Sequence, residues 1–107
     1  MNASDPHLSL VLACYNEAEH LRASFAEIRQ TLQQAGRPFE VIFVDDASQD
    51  GTRAILQEIV DAQRHLDLRV ILHDTNRGRG ATVTDGFRAA RGEIAGYLDV
   101  DLEVHCR

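Results

Sequence analysis

Phe39-Glu40-Val41-Ile42-Phe43-Val44, followed at once by Asp45-Asp46-Ala47-Ser48-Gln49-Asp50-Gly51, is the stretch that decides the fold class. The first part is a short run rich in β-branched and aromatic residues. Such a run reads as a strand buried on both faces, the habit of parallel sheets covered by helices. The Asp- and Ser-rich part reads as a turn at the strand's carboxyl end, with Asp50 placed to cap the next helix.

Moving outward, the same unit repeats on either side. Upstream, Leu8 to Ala13 reads as a strand, and Asn16 as the cap of a helix with Glu19 in the position of a capping-box acid. In that helix Ala18, Leu21, Phe25, Ile28, Leu32 and Ala35 form one apolar stripe, ended by Gly36 and Pro38. Downstream, a helix burying Ile55, Leu56, Ile59 and Val60 leads to a strand at Leu68 to Leu72. The loop Asp74-Thr75-Asn76-Arg77-Gly78-Arg79-Gly80 precedes a third helix, from about Ala81 to Arg91. Val83, Phe87 and Ala90 are expected to face inward there, with Gly92 as the stop. A last strand, Ile94 to Leu98, delivers Asp99-Val100-Asp101-Leu102-Glu103.

The order β-α-β-α-β-α-β predicts a Rossmann-like α/β fold: a mostly parallel sheet, right-handed crossovers, helices on both faces. Ligands of such sheets bind beyond the carboxyl ends of the strands. Four polar clusters follow strands here: Tyr15-Asn16-Glu17, Asp45-Asp46, Asn76 to Gly80, and Asp99 to Glu103. All four are expected on one rim.

A chain of 107 residues supports one domain. No apolar run nears the roughly 18 residues that span a bilayer, so this segment is expected neither to insert in a membrane nor to begin with a signal peptide. The net charge of -6 argues against a nucleic-acid partner. All 11 basic residues are arginine. Cys14 and Cys106 are too few for a disulfide framework or a zinc site and read as idle thiols in a reducing, cytoplasmic setting.

Each cluster has a chemical reading beside a plain one. Asp99, Asp101 and Glu103 alternate, so an extended strand end projects all three carboxylates from one face. Hard oxygen donors of that kind suit Mg²⁺ or Mn²⁺, although a solvated acidic turn has the same sequence. Asp45 and Asp46 suit a base edge or ribose hydroxyl, or equally a helix cap. Arg79, among the glycines of the Asn76 to Gly80 loop, suits a phosphate at a helix start, or an exposed basic turn. Tyr15 and Glu17 offer a ring for stacking and a carboxylate, yet also fit a first helical turn. The histidines His7, His20, His65 and His73 show no ligand spacing and read as surface or packing residues.

Taken in order, four blocks resemble the family 2 inverting glycosyltransferases of the GT-A fold. They are Val11-Leu12-Ala13-Cys14-Tyr15-Asn16-Glu17, Val44-Asp45-Asp46-Ala47-Ser48-Gln49-Asp50-Gly51-Thr52, Asn76-Arg77-Gly78-Arg79-Gly80-Ala81, and Ala90-Arg91-Gly92 with Asp99-Val100-Asp101. Within the family, Asp-x-Asp-Leu-Glu and Asn-Arg-Gly-Arg-Gly look most like the polyprenyl-phosphate sugar synthases, typified by dolichyl-phosphate mannose synthase. The resemblance implies that Ala13, Tyr15, Glu17, Asp45 and Asp46 hold a nucleoside and that Arg79, where the family often has lysine, faces the diphosphate. It implies that Asp99 and Asp101 bind ribose and a divalent cation, with Glu103 a further metal ligand. Ala13 departs from the family's usual proline.

The same resemblance implies that residues 1–107 are a single nucleotide-sugar-binding domain, truncated before the acceptor region and inactive in transfer by itself. The donor would be a UDP- or GDP-sugar. The acceptor would be a lipid phosphate or a glycan, at the cytoplasmic membrane face in the full-length protein. Two other classes compete. A phosphoacceptor receiver domain puts its acidic pair after the first strand and needs a late lysine, and neither holds here. A catalytically silent nucleotide-binding module stays open at this level. A P-loop or dinucleotide fingerprint is absent from the sequence.

Overall fold

The computed structural model describes residues 6–99. The expected positions at Asp101, Glu103 and Cys106 lie outside that range. Seven elements alternate: β1 (Leu8–Cys14), α1 (Leu21–Ala35), β2 (Phe39–Asp45), α2 (Thr52–Ala62), β3 (Asp67–Leu72), α3 (Arg79–Ala89) and β4 (Ile94–Asp99). The four strands form one sheet in the order β3-β2-β1-β4, with every pairing parallel. This is the Rossmann-like architecture expected. The chain steps outward from β1 to β3 and then returns to place β4 on the other side of β1, so the switch point lies between β1 and β4.

Helices cover both faces. Leu21, Phe25, Ile28 and Leu32 of α1 and Ile55, Leu56 and Ile59 of α2 pack with Leu12, Val41 and Phe43 on one face. On the other, Val11, Ile42 and Val44 meet Ala89 and Ala90 at the end of α3. That second interface is tight because of one glycine. A Cβ at Gly86 would stand 2.3 Å from Val11 Cγ1, so only a bare backbone lets α3 lie this close to β1.

Several sequence expectations need correction. Asn16 does not cap α1, which begins at Leu21 after a turn in which the Glu17 carbonyl accepts the His20 and Leu21 N–H groups. Asn16 instead adopts a φ of 51° and bonds across to the next loop, so Glu19 has no capping partner there. Phe87 does not face inward: it is 39% exposed and meets Tyr97 edge-on, centroids 6.1 Å apart. Gly92 is not a helix stop, since α3 ends at Ala89. Its N–H donates to Ser9 Oγ at 2.7 Å, and a Cβ there would collide with the same atom.

The strand that decided the fold is also less uniform than its pattern. Glu40 is fully buried within β2. Its carboxylate accepts from Ser9 Oγ at 2.5 Å, Arg69 Nη2 at 2.8 Å and the Arg91 N–H at 2.7 Å. A buried carboxylate survives only with such compensation. Burial alone would raise its pKa, but the Ser9 and Arg91 hydrogen bonds and the Arg69 charge outweigh it and hold Glu40 below its ordinary value. The network ties β1, β2, β3 and the segment after α3 together at the amino end of the sheet.

Candidate functional site

The rim at the carboxyl ends of the strands is stitched together by loop-to-loop hydrogen bonds. Four of them join the segment after β1 to the segment after β2. The Asn16 N–H donates to Ser48 Oγ at 2.9 Å, and the Gln49 N–H to Asn16 Oδ1 at 2.8 Å. The Glu17 N–H donates to Thr52 Oγ1 at 2.8 Å, and the Ala18 N–H to Asp50 Oδ2 at 3.2 Å. Asp50 also accepts the Thr52 N–H, so it shapes the start of α2 from one position before the boundary residue Gly51.

Asp46 links β2 to the loop after β3. It is nearly solvent-free, and its own N–H extends the sheet by donating to the Cys14 carbonyl at 2.9 Å. Its Oδ1 accepts the Arg77 N–H at 2.8 Å, and its Oδ2 accepts the Gly78 N–H at 2.9 Å. His73 Nδ1 stands 2.8 Å from the same Oδ1. Burial pushes the Asp46 pKa up, but these three hydrogen bonds more than offset it, so the carboxyl is held below its ordinary range. Gly78, at φ 88°, makes the sharp entry into α3, a conformation that side chains rarely adopt.

Asp45 takes a different position from its neighbour. It is fully buried, accepting from the Ser48 N–H and hydroxyl and from Arg53 Nε at 2.8 Å. The paired acids therefore divide: Asp45 braces the turn, and Asp46 reaches the rim.

Ala13, Cys14, Tyr15, Glu17, Asp46, Asn76, Gly78, Arg79 and Thr82 line an open cleft of about 250 Å³ on this rim. It thus gathers five of the expected site residues, Ala13, Tyr15, Glu17, Asp46 and Arg79, while Asp45 lies beneath it. Tyr15 is half-exposed at its mouth. The Arg79 guanidinium sits 5.4 Å from the Tyr97 ring centroid, at the start of α3, where the helix dipole favours an anion. Backbone pairing sets Asp99, the last residue of β4, beside Ala13. Among the described residues no cluster of three His, Cys, Asp or Glu side chains is placed to hold a metal.

One site residue was missed in the sequence. His73, read as a surface or packing residue, is 3% exposed and bridges Asp46 to Asp85, with Nε2 2.8 Å from Asp85 Oδ2. Its place directly after β3 was the available signal, and nothing in sequence spacing pairs it with Asp85.

A parallel α/β sheet with a glycine-led loop and an acidic residue converging beyond its strand ends is the arrangement in which α/β proteins hold their ligands. The family is more definite: residues 9–106 match the family model for glycosyl transferase family 2, and the chain belongs to that family. Its sheet is the Rossmann-like sheet of the GT-A fold.

The chain is 33% identical over 98 residues to an undecaprenyl-phosphate 4-deoxy-4-formamido-L-arabinose transferase of Pectobacterium carotovorum, covering 91% of this chain and 29% of that protein. Among solved structures it resembles the mannosyltransferase PcManGT of Pyrobaculum calidifontis in complex with GDP-Man and Mn²⁺. The TM-score is 0.78 at 25% identity, over 91% of this chain and 28% of that one. It also resembles S. aureus TarS in complex with UDP, with a TM-score of 0.62 at 29% identity, over 88% of this chain and 27% of that one. The chain thus spans about three-tenths of the length of the curated relatives it matches. No helix among the described residues is long and apolar enough to cross a membrane.

Proposed function

We propose that this chain is the donor-binding part of a glycosyltransferase that moves a sugar from a UDP- or GDP-sugar to a polyprenyl-phosphate acceptor at the cytoplasmic membrane face. The observation that carries this reading is the cleft beyond the carboxyl ends of β1 and β2, where Asp46 fixes the Arg77–Gly78 backbone and Arg79 opens α3. Nucleotide ligands in the neighbouring mannosyltransferase and TarS structures, and a polyprenyl phosphate in the relative's name, support the substrate classes.

The residues divide the task by their chemistry. Tyr15 stacks on the base, and Ala13 and Glu17 shape the nucleoside pocket beside it. Asp46 anchors the loop, and Asp45 supports the turn from below. Arg79 and the first turn of α3 receive the diphosphate, whose charge an arginine fork and a helix N-terminus both favour. Asp99, Asp101 and Glu103 are carboxylates of the hard-donor type, and they would hold Mg²⁺ or Mn²⁺, as the Mn²⁺ of the neighbouring mannosyltransferase supports. That ion would neutralise charge on the leaving diphosphate, in keeping with an inverting displacement. Acceptor positioning falls to the portion of the relatives outside the matched length.

Calorimetric titration with UDP, and separately with GDP, with and without Mn²⁺ tests this reading. Binding of one nucleotide that strengthens with the ion supports it. Absence of binding for both counts against it.

A further inference from the structure

His73 lies under the rim without lining the cleft, and both of its ring nitrogens meet carboxylates. Nδ1 faces Asp46 Oδ1 and Nε2 faces Asp85 Oδ2, each at 2.8 Å. Its backbone is fixed independently of the ring. The N–H donates to the Asp45 carbonyl at 2.9 Å, and the His73 carbonyl accepts from the Arg53 guanidinium. The imidazole therefore has little freedom to turn away, and it joins the end of β2 to the middle of α3.

The proton count in this contact is constrained. An ionised carboxylate accepts hydrogen bonds and donates none. Asp46 also accepts two backbone N–H groups, so it meets Nδ1 as an acceptor. Nε2 meets a second carboxylate. With both carboxylates ionised, a neutral ring would set a nitrogen lone pair against one of these oxygens, and a ring with a proton on each nitrogen satisfies both.

We propose that His73, protonated at both ring nitrogens, is a positioning residue of the donor site. It clamps Asp46 to Asp85 and so holds the Arg77–Gly78 backbone and the start of α3 in the shape that receives a nucleotide diphosphate. The inference rests on the donor-site reading above and adds a pH dependence to it.

The charged groups around the ring show which contact yields. Asp46 faces it from the turn directly after β2 and Asp85 from α3. Arg53 of α2 lies on its carbonyl side, paired with Asp45. From the loop, Arg77 Nη1 stands 3.7 Å from Asp85 Oδ2. Asp85 is the more exposed carboxylate and has this second partner, whereas Asp46 is retained by backbone N–H groups. Loss of a ring proton therefore releases Asp85 first. The α3 side of the clamp opens, and the loop itself stays folded.

Two measurements test this. Nitrogen-15 spectra of the His73 ring, without nucleotide, report whether both nitrogens carry protons at neutral pH. Calorimetry with UDP and GDP plus Mg²⁺, from mildly acidic to mildly alkaline pH, then reports the consequence. The expected result is a doubly protonated ring, with affinity falling about tenfold as the proton is lost, the equivalent of one pKa unit of coupling. Asp85→Asn should move both the ring titration and the fall in affinity to lower pH. That joint shift separates the ring from the nucleotide's own phosphate titration. His73→Asn should remove the pH-dependent step, and the milder Asp85→Asn keeps the test decisive if His73→Asn fails to fold.

A ring that is neutral at neutral pH, or an affinity profile unmoved by Asp85→Asn, overturns the clamp while leaving the donor site standing. A doubly protonated ring in a protein that binds neither nucleotide overturns the donor-site reading, and with it the clamp's role there.

Discussion

The Gly78 N–H donates to Asp46 Oδ2 at 2.9 Å, across 32 positions of sequence. Through this bond the end of one buried strand sets where α3 begins, and so where its N-terminus and Arg79 face. Around it, three of the four polar segments that follow strands are tied into one rim, and Asp99, the first residue of the fourth, pairs with Ala13 of β1.

Removing the Asp46 carboxylate should damage both stability and binding. Asp46→Ala leaves the Arg77 and Gly78 N–H groups and His73 Nδ1 without their partner, with His73 Nε2 still on Asp85. The expected loss is about 3 kcal/mol, the cost typical of breaking a buried charged pair, readable by urea unfolding. The sign of the pH effect follows from the direction of its shift. Its folded pKa lies below the ordinary 3.8, so its contribution is fully present above that value and is lost as pH falls further. The stability gap between wild type and variant should therefore narrow in acid.

Glu40 lies at the opposite end of the sheet and should separate stability from binding. Glu40→Ala takes one partner from Arg69 and from Arg91, which keep the Ala89 carbonyl and Asp67, and leaves Ser9 Oγ and the Arg91 N–H without their acceptor. A loss of about 3–5 kcal/mol is expected, while molecules that remain folded should keep wild-type nucleotide affinity. Glu40 too sits below its ordinary 4.5, so this contribution holds above that value and fades as pH drops below it. Parallel chemical unfolding and calorimetry check both halves.

Gly86→Ala should force α3 away from β1. The new methyl would meet Val11 side-chain carbons at 2.3 and 2.9 Å, and overpacking of this kind costs about 1–3 kcal/mol. Combining it with Val11→Ala should recover part of the loss in thermal midpoint, since the deletion makes room. Failure of the pair to recover anything would show that contact is not the cause.

Arg79→Ala should act on binding and hardly on stability. The side chain is exposed beside Tyr97, so unfolding should change by less than about 0.5 kcal/mol, as for other surface changes. Affinity for a nucleoside diphosphate should fall about tenfold, while a nucleoside without phosphate should bind unchanged. Comparing the two ligands by calorimetry distinguishes phosphate recognition from a general effect on the cleft.

The alternation of apolar runs and helical stripes made the fold legible. Leu21, Phe25, Ile28 and Leu32 keep a clean helical period, and each of the four strands lies within a residue of its expected limits. What the pattern hid were interactions between distant segments. Asn16 has the composition of a helix cap, but Ser48 and Gln49 compete for it through space and draw it into a loop stitch. Glu40 looked like a neutral member of a strand because its partners, Ser9, Arg69 and Arg91, come from three other segments. His73 was invisible for the same reason: Asp46 and Asp85 become its neighbours only when the sheet and α3 assemble. Asp45 and Asp46 are adjacent acids with one composition signal, yet strand alternation sends one under the turn and the other to the rim.

The most direct test is a map of amide chemical shifts on titration with UDP or GDP in the presence of Mg²⁺. Changes should concentrate at Ala13 to Glu17, Asp46, and Asn76 to Arg79, with amides around Glu40 unmoved. Changes confined to the groove between α1 and α2, around Arg22 and Arg29, or none at all with either nucleotide, would contradict the donor-site reading.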